Sequence, residues 1–264
     1  MAEIRPAAVA GRFYAADPEE LRRDVERHLA AARGPSRPPP PPKALIVPHA
    51  GYVYSGPVAA AAYARLAPMR DTLERVVLLG PSHRLWFEGL AVPSVEAFRT
   101  PLGTVPLDRE WLARVRDLPQ VVVLDAAHAQ EHSLEVQLPF LQCVLGSFTL
   151  APFAVGDASA RQVAQVLERL WGGPETLIVI SSDLSHYLDY ESARRIDADT
   201  ARCIEALRPD ELDPERACGY LPIAGLLLAA RRRALRVEPL DLRSSGDTAG
   251  GRDQVVGYGA WAVA

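Results

Sequence analysis

Four short apolar runs each pass straight into a segment that carries histidine, and this most restricts what the chain can become. Ala44–Val47 leads into Pro48-His49-Ala50-Gly51-Tyr52, and Val76–Leu79 into Gly80-Pro81-Ser82-His83. Val121–Leu124 runs toward His128 and His132, and Thr176–Ile180 ends in Ser181-Ser182-Asp183-Leu184-Ser185-His186. Runs of four or five apolar residues are too short for buried helices and read as strands covered on both faces. Helical segments are expected between them, at 57–66, about 131–145, 160–170, 191–207 and 221–232. Further strands are expected at 148–155, 237–242 and 255–263. Strands alternating with helices predict an α/β fold with a central mixed or parallel sheet flanked by helices. In such sheets ligands bind beyond the carboxyl ends of the strands. If these strands lie side by side, their histidines meet at one rim.

The remaining segments fit one domain over residues 1–264. Residues 5–16 read as an extended arm. Asp17, with Glu20 three residues on, caps a helix over 18–33. A proline-rich stretch at 34–42, with Pro38 to Pro42 in unbroken succession, reads as a stiff loop joining that helix to the first strand. The net charge of −4 argues against a sequence-independent nucleic-acid binder. No run of 18 apolar residues predicts a membrane span. The start, Met1-Ala-Glu-Ile-Arg5, lacks a signal-peptide layout, so a cytoplasmic location is expected. Cys143, Cys203 and Cys218 are too scattered for a disulfide framework and read as small buried apolar side chains. His28, among arginines on the first helix, reads as solvated.

Any one of the other histidines, taken singly, reads as a loop hydrogen-bonding residue; together they read as a metal site. Neutral imidazole suits zinc, iron and copper, and two histidines with one carboxylate form the facial triad of non-haem iron(II) oxygenases. Asp183, Glu131 and Asp247 are the candidate carboxylates. His128-Ala-Gln-Glu131-His132 also fits the H-x-x-E-H pattern of zinc peptidases, with Glu131 as general base. That reading leaves His49, His83 and His186 without a role. His132 and Glu135 fall on one side of the expected helix, where they could orient a ligand. No phosphate-binding glycine loop and no G-x-S-x-G elbow is present.

Arg5 to Tyr14, Pro48 to Tyr52 with Ser55-Gly56, Gly80 to His83, Glu131 to Pro139, Ser181 to His186, and Cys218-Gly219 with Pro222-Ile223 together resemble the Memo family. Its prokaryotic members form protein B of the AmmeMemoRadiSam system. The resemblance implies a fold like that of LigB-type extradiol dioxygenases, and AMMECR-type and radical SAM proteins as partners. By similarity His49, His83 and Asp247 would hold the metal, iron(II) first and copper or zinc otherwise, and His186 would be the acid/base. His132 and Asp183 would orient His186 or a small substrate such as an aromatic diol. Tyr52, Tyr54 and Tyr187 would line the pocket or pack in the core. The resemblance implies a second use of the same pocket, as a non-enzymatic adaptor that holds peptide segments.

Overall fold

The computed structural model describes residues 3–32 and 40–264. The chain opens with β1 (Ile4–Arg5), α1 (Pro18–Ala31), β2 (Ala44–Val47), α2 (Tyr52–Tyr63) and β3 (Arg75–Pro81). Then come β4 (Leu90–Val92), β5 (Ala97–Thr100), β6 (Gly103–Pro106), α3 (Arg109–Ala113), β7 (Val121–Val123), α4 (Asp125–Ala129) and α5 (Leu138–Val144). The rest comprises β8 (Thr149–Val155), α6 (Ala160–Arg169), β9 (Thr176–Ser181), β10 (His186–Leu188), α7 (Tyr190–Glu205), α8 (Tyr220–Arg232), β11 (Val237–Ser244), α9 (Ser245–Thr248) and β12 (Val255–Val263).

Among the described residues, nine strands form one sheet in the order β10-β12-β2-β9-β3-β8-β4-β7, with β11 also on β12. β2, β9, β3 and β8 run parallel, whereas β12 joins β2 and β4 joins β8 antiparallel. The sheet is therefore mixed, with a parallel centre. All of Ala44–Val47 and Thr176–Ser181 is buried, as strands covered on both faces require. α8 packs on β3, β9 and α6, while α2 packs on β2, β12, α1 and α5. A second sheet, β1-β5-β6, stands apart.

Several expectations shift, each for a local reason. The proline-rich segment falls mostly outside the described residues, and residues 40–42 carry no regular structure. α2 begins at Tyr52 rather than 57, so Pro57 lies inside it. One turn into a helix, proline removes a single hydrogen bond. The helix expected over 131–145 is interrupted: α4 ends at Ala129, a short 3-10 turn covers Glu135–Gln137, and α5 follows. The Glu131 carboxylate causes the break. It draws the backbone N–H groups of His132 and Ser133 to itself at 2.9 Å, in competition with helical pairing. β7 lies at the far edge of the sheet, so its end does not join those of β2, β9 and β3.

Candidate metal centre

β2, β9 and β3 are neighbours, and the residues just past their ends converge. His49 follows β2, His83 follows β3, and His132 arrives on the turn that Glu131 organises. Among the described residues, one ring nitrogen from each of His49, His83 and His132 lies within 4.8 Å of the other two. The ring centroids are 5.1 Å apart for His49–His83, 5.3 Å for His49–His132 and 4.6 Å for His83–His132.

The surrounding hydrogen bonds decide which nitrogen of each ring is free. Ser181 Oγ donates its single proton to Ser133 O at 2.6 Å and accepts from Gln137 Nε2 at 2.7 Å. His49 Nδ1, 2.8 Å from the same oxygen, must therefore donate to it. The lone pair is left on His49 Nε2. His83 is fixed in the same sense by Glu131. That carboxylate accepts from His83 Nδ1 at 2.9 Å, from the His83 backbone N–H at 2.6 Å, and from His132 N and Ser133 N. Burial would raise the Glu131 carboxyl, but these donors and the His83 imidazole outweigh it and hold it at about 2. An ionised carboxylate only accepts, so His83 Nδ1 carries a proton and Nε2 is the nitrogen turned away from it. A carboxylate behind a histidine in this way is a usual support for a metal ligand.

Burial and the neighbouring imidazoles push His49 well below the ordinary histidine range, and burial pushes His132 down to about 4. Both rings are neutral near pH 7, the form that binds metals. His132 Nδ1 is buried without a hydrogen-bond partner among the described residues, although Glu131 Oε1 lies 3.3 Å away. Three ring nitrogens this close together, one of them buried without a partner, suit a divalent cation.

Around the cluster, Asp183 is 4% exposed and accepts the His49 backbone N–H at 2.7 Å. Its Oδ2 is 4.0 Å from His49 Nε2, and burial raises its carboxyl above the usual range. His186 Nδ1 donates to Leu184 O at 2.8 Å, which leaves Nε2 free. Asp183, His186 and His132 line a cavity of about 510 Å³ with Phe13, Tyr54 and Tyr187. The Phe13 ring lies 4.7 Å from that of His132. Tyr187 adopts φ of +58°, uncommon for an aromatic residue and frequent where a site imposes strain. A second cavity, about 470 Å³, is lined by His83, Arg84, Trp86 and Cys218 and shares no residue with the first.

Not every residue singled out in the sequence arrives here. Asp247 is absent from the cluster. It caps α9, where Oδ2 accepts from Ser244 N and Oγ at 2.9 and 3.0 Å, and it accepts from Tyr190 OH. It borders a different cavity, beside Arg194 and Asp197. His132, expected to orient, stands in its stead among the histidines. Tyr52 is buried in the core, donating to Val136 O and packing on Phe140. Glu131 stands behind His83, on its Nδ1, and is not one of the three clustered residues. Glu135 points away, to Arg5. His128 is buried at the far side, with Nε2 on Ala91 O, so the H-x-x-E-H pair does not meet. Cys218, read as a core residue, touches His49: its Sγ is 3.3 Å from Nε2. Only its place before Gly219, in the run that resembles a known family, hinted at this.

A family model described as Memo-like protein matches residues 5–262. The chain is similar to a MEMO1 family protein of Aquifex aeolicus, 37% identical over 266 residues and 97% of each chain. It is also similar to one from Methanopyrus kandleri, 38% identical over 97% of each. Among solved structures, an uncharacterized protein of Escherichia coli K12 shares the fold at a TM-score of 0.53 and 14% identity, over 81% of this chain and 98% of that one.

Proposed function

The chain belongs to the Memo-like family, and from that premise we propose that it is a metal-dependent oxidoreductase of dioxygenase type, with the ion held by His49, His83 and His132. One observation carries the reading: three imidazoles converge, two of them with Nδ1 held by partners behind the ring. Imidazole ligands suit iron, copper and zinc, and iron(II) is the ion assigned here. When bound, iron(II) supplies open positions where a small diol and dioxygen meet.

The protein's own groups do the rest. Phe13, Tyr54 and Tyr187 give the cavity of about 510 Å³ aromatic walls suited to a planar ring, with His132 and His186 also lining it. His186 Nε2 takes a hydroxyl proton from the substrate, and its Nδ1–H on Leu184 O keeps that nitrogen turned away. Asp183, its carboxyl raised by burial, accepts the His49 backbone N–H and steadies that residue. The family resemblance supports AMMECR-type and radical SAM proteins as companions in one pathway.

Protein purified without oxygen should contain about one iron per chain and take up oxygen with a member of a catechol panel. His49→Ala and His83→Ala should each lose the metal and keep the wild-type circular dichroism spectrum. Stoichiometric metal in both variants refutes the ligand assignment. Bound metal without oxygen uptake across the panel points to a binding protein instead.

A further inference from the structure

We propose that Asp197 is the positioning residue of His186, acting on its ring through the single peptide that joins Leu184 to Ser185. The inference deepens the acid/base reading of His186 and rests on it. Asp197 belongs to α7 and is 3% exposed. Its Oδ1 accepts the Ser185 backbone N–H at 3.0 Å. The carbonyl of the same peptide, Leu184 O, accepts from His186 Nδ1 at 2.8 Å. That peptide is trans, a rigid plane whose N–H and C=O point opposite ways. Holding the N–H on one side therefore aims the carbonyl that orients the imidazole on the other. Carboxylate, peptide and imidazole form one chain of hydrogen bonds. Bonds in such a chain polarise one another, so an ionised carboxylate on the N–H makes Leu184 O the stronger acceptor. A partner behind one nitrogen of a histidine decides which nitrogen bears the proton. Here the carboxylate does so from one peptide further back.

The surroundings leave this peptide no other support. Leu184 and Ser185 are buried, so water does not reach the Ser185 N–H. Leu184 N donates to Gly257 O and Gly257 N donates to Ser185 O, each at 2.8 Å. Those two bonds to β12 hold the peptides on either side and not the one between. Among the described residues, Asp197 is the one side chain from outside the turn that bonds to the backbone of residues 184–187. The approach is close: a Cβ at Gly257 would stand 1.9 Å from Asp197 Oδ2, so glycine at that point of β12 is what admits the carboxylate. The turn also needs holding. Tyr187 has φ of +58°, and the pairing of β10 with β12 slips between His186 and Leu188. Such conformations persist where their surroundings over-determine them. Without an acceptor at 197 the buried Ser185 N–H stands unsatisfied, the peptide rotates to find a partner, and Leu184 O leaves His186 Nδ1.

The test reads the proton on His186 directly. In the full chain, isotope-labelled at histidine nitrogen, long-range proton–nitrogen correlation spectra separate a ring nitrogen that bears hydrogen from one that does not. His186→Gln identifies the signals. Above the histidine titration range the wild type should carry its His186 proton on Nδ1. Asp197→Ala, or Asp197→Val should alanine not fold, should move most of that proton to Nε2, the nitrogen an imidazole in water prefers. Asp197→Asn keeps an acceptor oxygen and should hold the proton on Nδ1. Affinity for cobalt(II) should be unchanged in these Asp197 variants, because the histidine trio stands on other segments. If the proton stays on Nδ1 in the variant without an acceptor, or leaves it in Asp197→Asn as well, or cobalt binding is lost alongside, Asp197 does not position His186 and the acid/base reading survives. If the wild type carries the proton on Nε2, both readings fall.

Discussion

Replacing Glu135 with alanine should detach the N-terminal arm while the sheet stays folded. The Glu135 side chain is fully buried and accepts from Arg5 Nη1 at 2.6 Å, Ala8 N at 2.8 Å, Val9 N at 3.0 Å and the Tyr14 hydroxyl. Arg5, itself 5% exposed, gives its other N–H groups to His128 O and Glu131 O at 2.6 Å. Removing one partner of a buried ion pair costs about 3–5 kcal/mol, because the remaining charge loses its counter-charge. The stranded N–H groups of Ala8 and Val9 add about 1 kcal/mol or more each where water cannot reach them. A sum of this size competes with the whole docking energy of so short a segment, so the arm leaves and takes Phe13 off His132. Urea unfolding of Glu135→Ala should therefore show a loss of about 3–5 kcal/mol, capped by the arm's docking energy. Hydrogen exchange should find the amides of residues 5–14 unprotected. Arg5→Met combined with Glu135→Met should recover most of the loss, since apolar side chains of like volume replace buried pairs well. A Glu135→Ala protein within about 1 kcal/mol of the parent, its arm still protected, would show that the carboxylate is not what fastens it.

Three further outcomes are expected. Glu131→Gln leaves one acceptor oxygen for donors that now share two, so His83 loosens; cobalt affinity should fall about 10- to 100-fold by competition titration, and unchanged affinity contradicts the supporting role. Burial raises the Asp197 carboxyl to about 6, despite the Ser185 N–H it accepts at 3.0 Å. A raised acid binds a proton in the folded state that the unfolded chain has lost, so stability should decline as pH rises from about 4 to 6. Two pKa units correspond to about 3 kcal/mol. Asp197→Asn should flatten that slope and be the more stable protein above pH 6 in urea titrations, and an identical slope in both sinks the assignment. A Cβ at Gly257 would sit 1.9 Å from Asp197 Oδ2. Gly257→Ala should thus cost about 1–3 kcal/mol in thermal unfolding, partly restored by Asp197→Ala; no restoration would place the clash elsewhere.

The strands that carry the site were legible because nothing local competes with their apolar runs. Ala44–Val47 and Thr176–Ser181 are buried throughout, and their composition says so. The loops after them were legible for the same reason, since a histidine just past a buried strand has little choice of rim. What sequence could not display was pairing across the fold. Glu131 and Asp247 are both acidic residues in polar turns, yet one gathers donors from two loops and the other closes a single turn on Ser244 and Tyr190. Spacing is identical information in the two cases, and only the tertiary neighbours differ. Cys218 was hidden likewise: a small apolar residue and a thiol set against an imidazole look the same in one dimension. The short strands β4, β5 and β6 and the break after His128 lack a periodic signal of their own, being held by backbone partners remote in the chain.

The place of β12 has a consequence for when the centre can exist. β2, which carries His49, pairs on one side with β9 and on the other with the last strand, Trp261 opposite Ile46 and Val263 opposite Ala44. His49 thus rests on hydrogen bonds between segments more than 200 residues apart, Ala44 with Val263. Contacts of such reach form late, because the chain entropy of closing so large a loop is lost before the pairing returns anything. During synthesis β12 must emerge before His49 is seated, so a metal taken up at this cluster would meet a sheet already paired and would not serve as a seed for its folding.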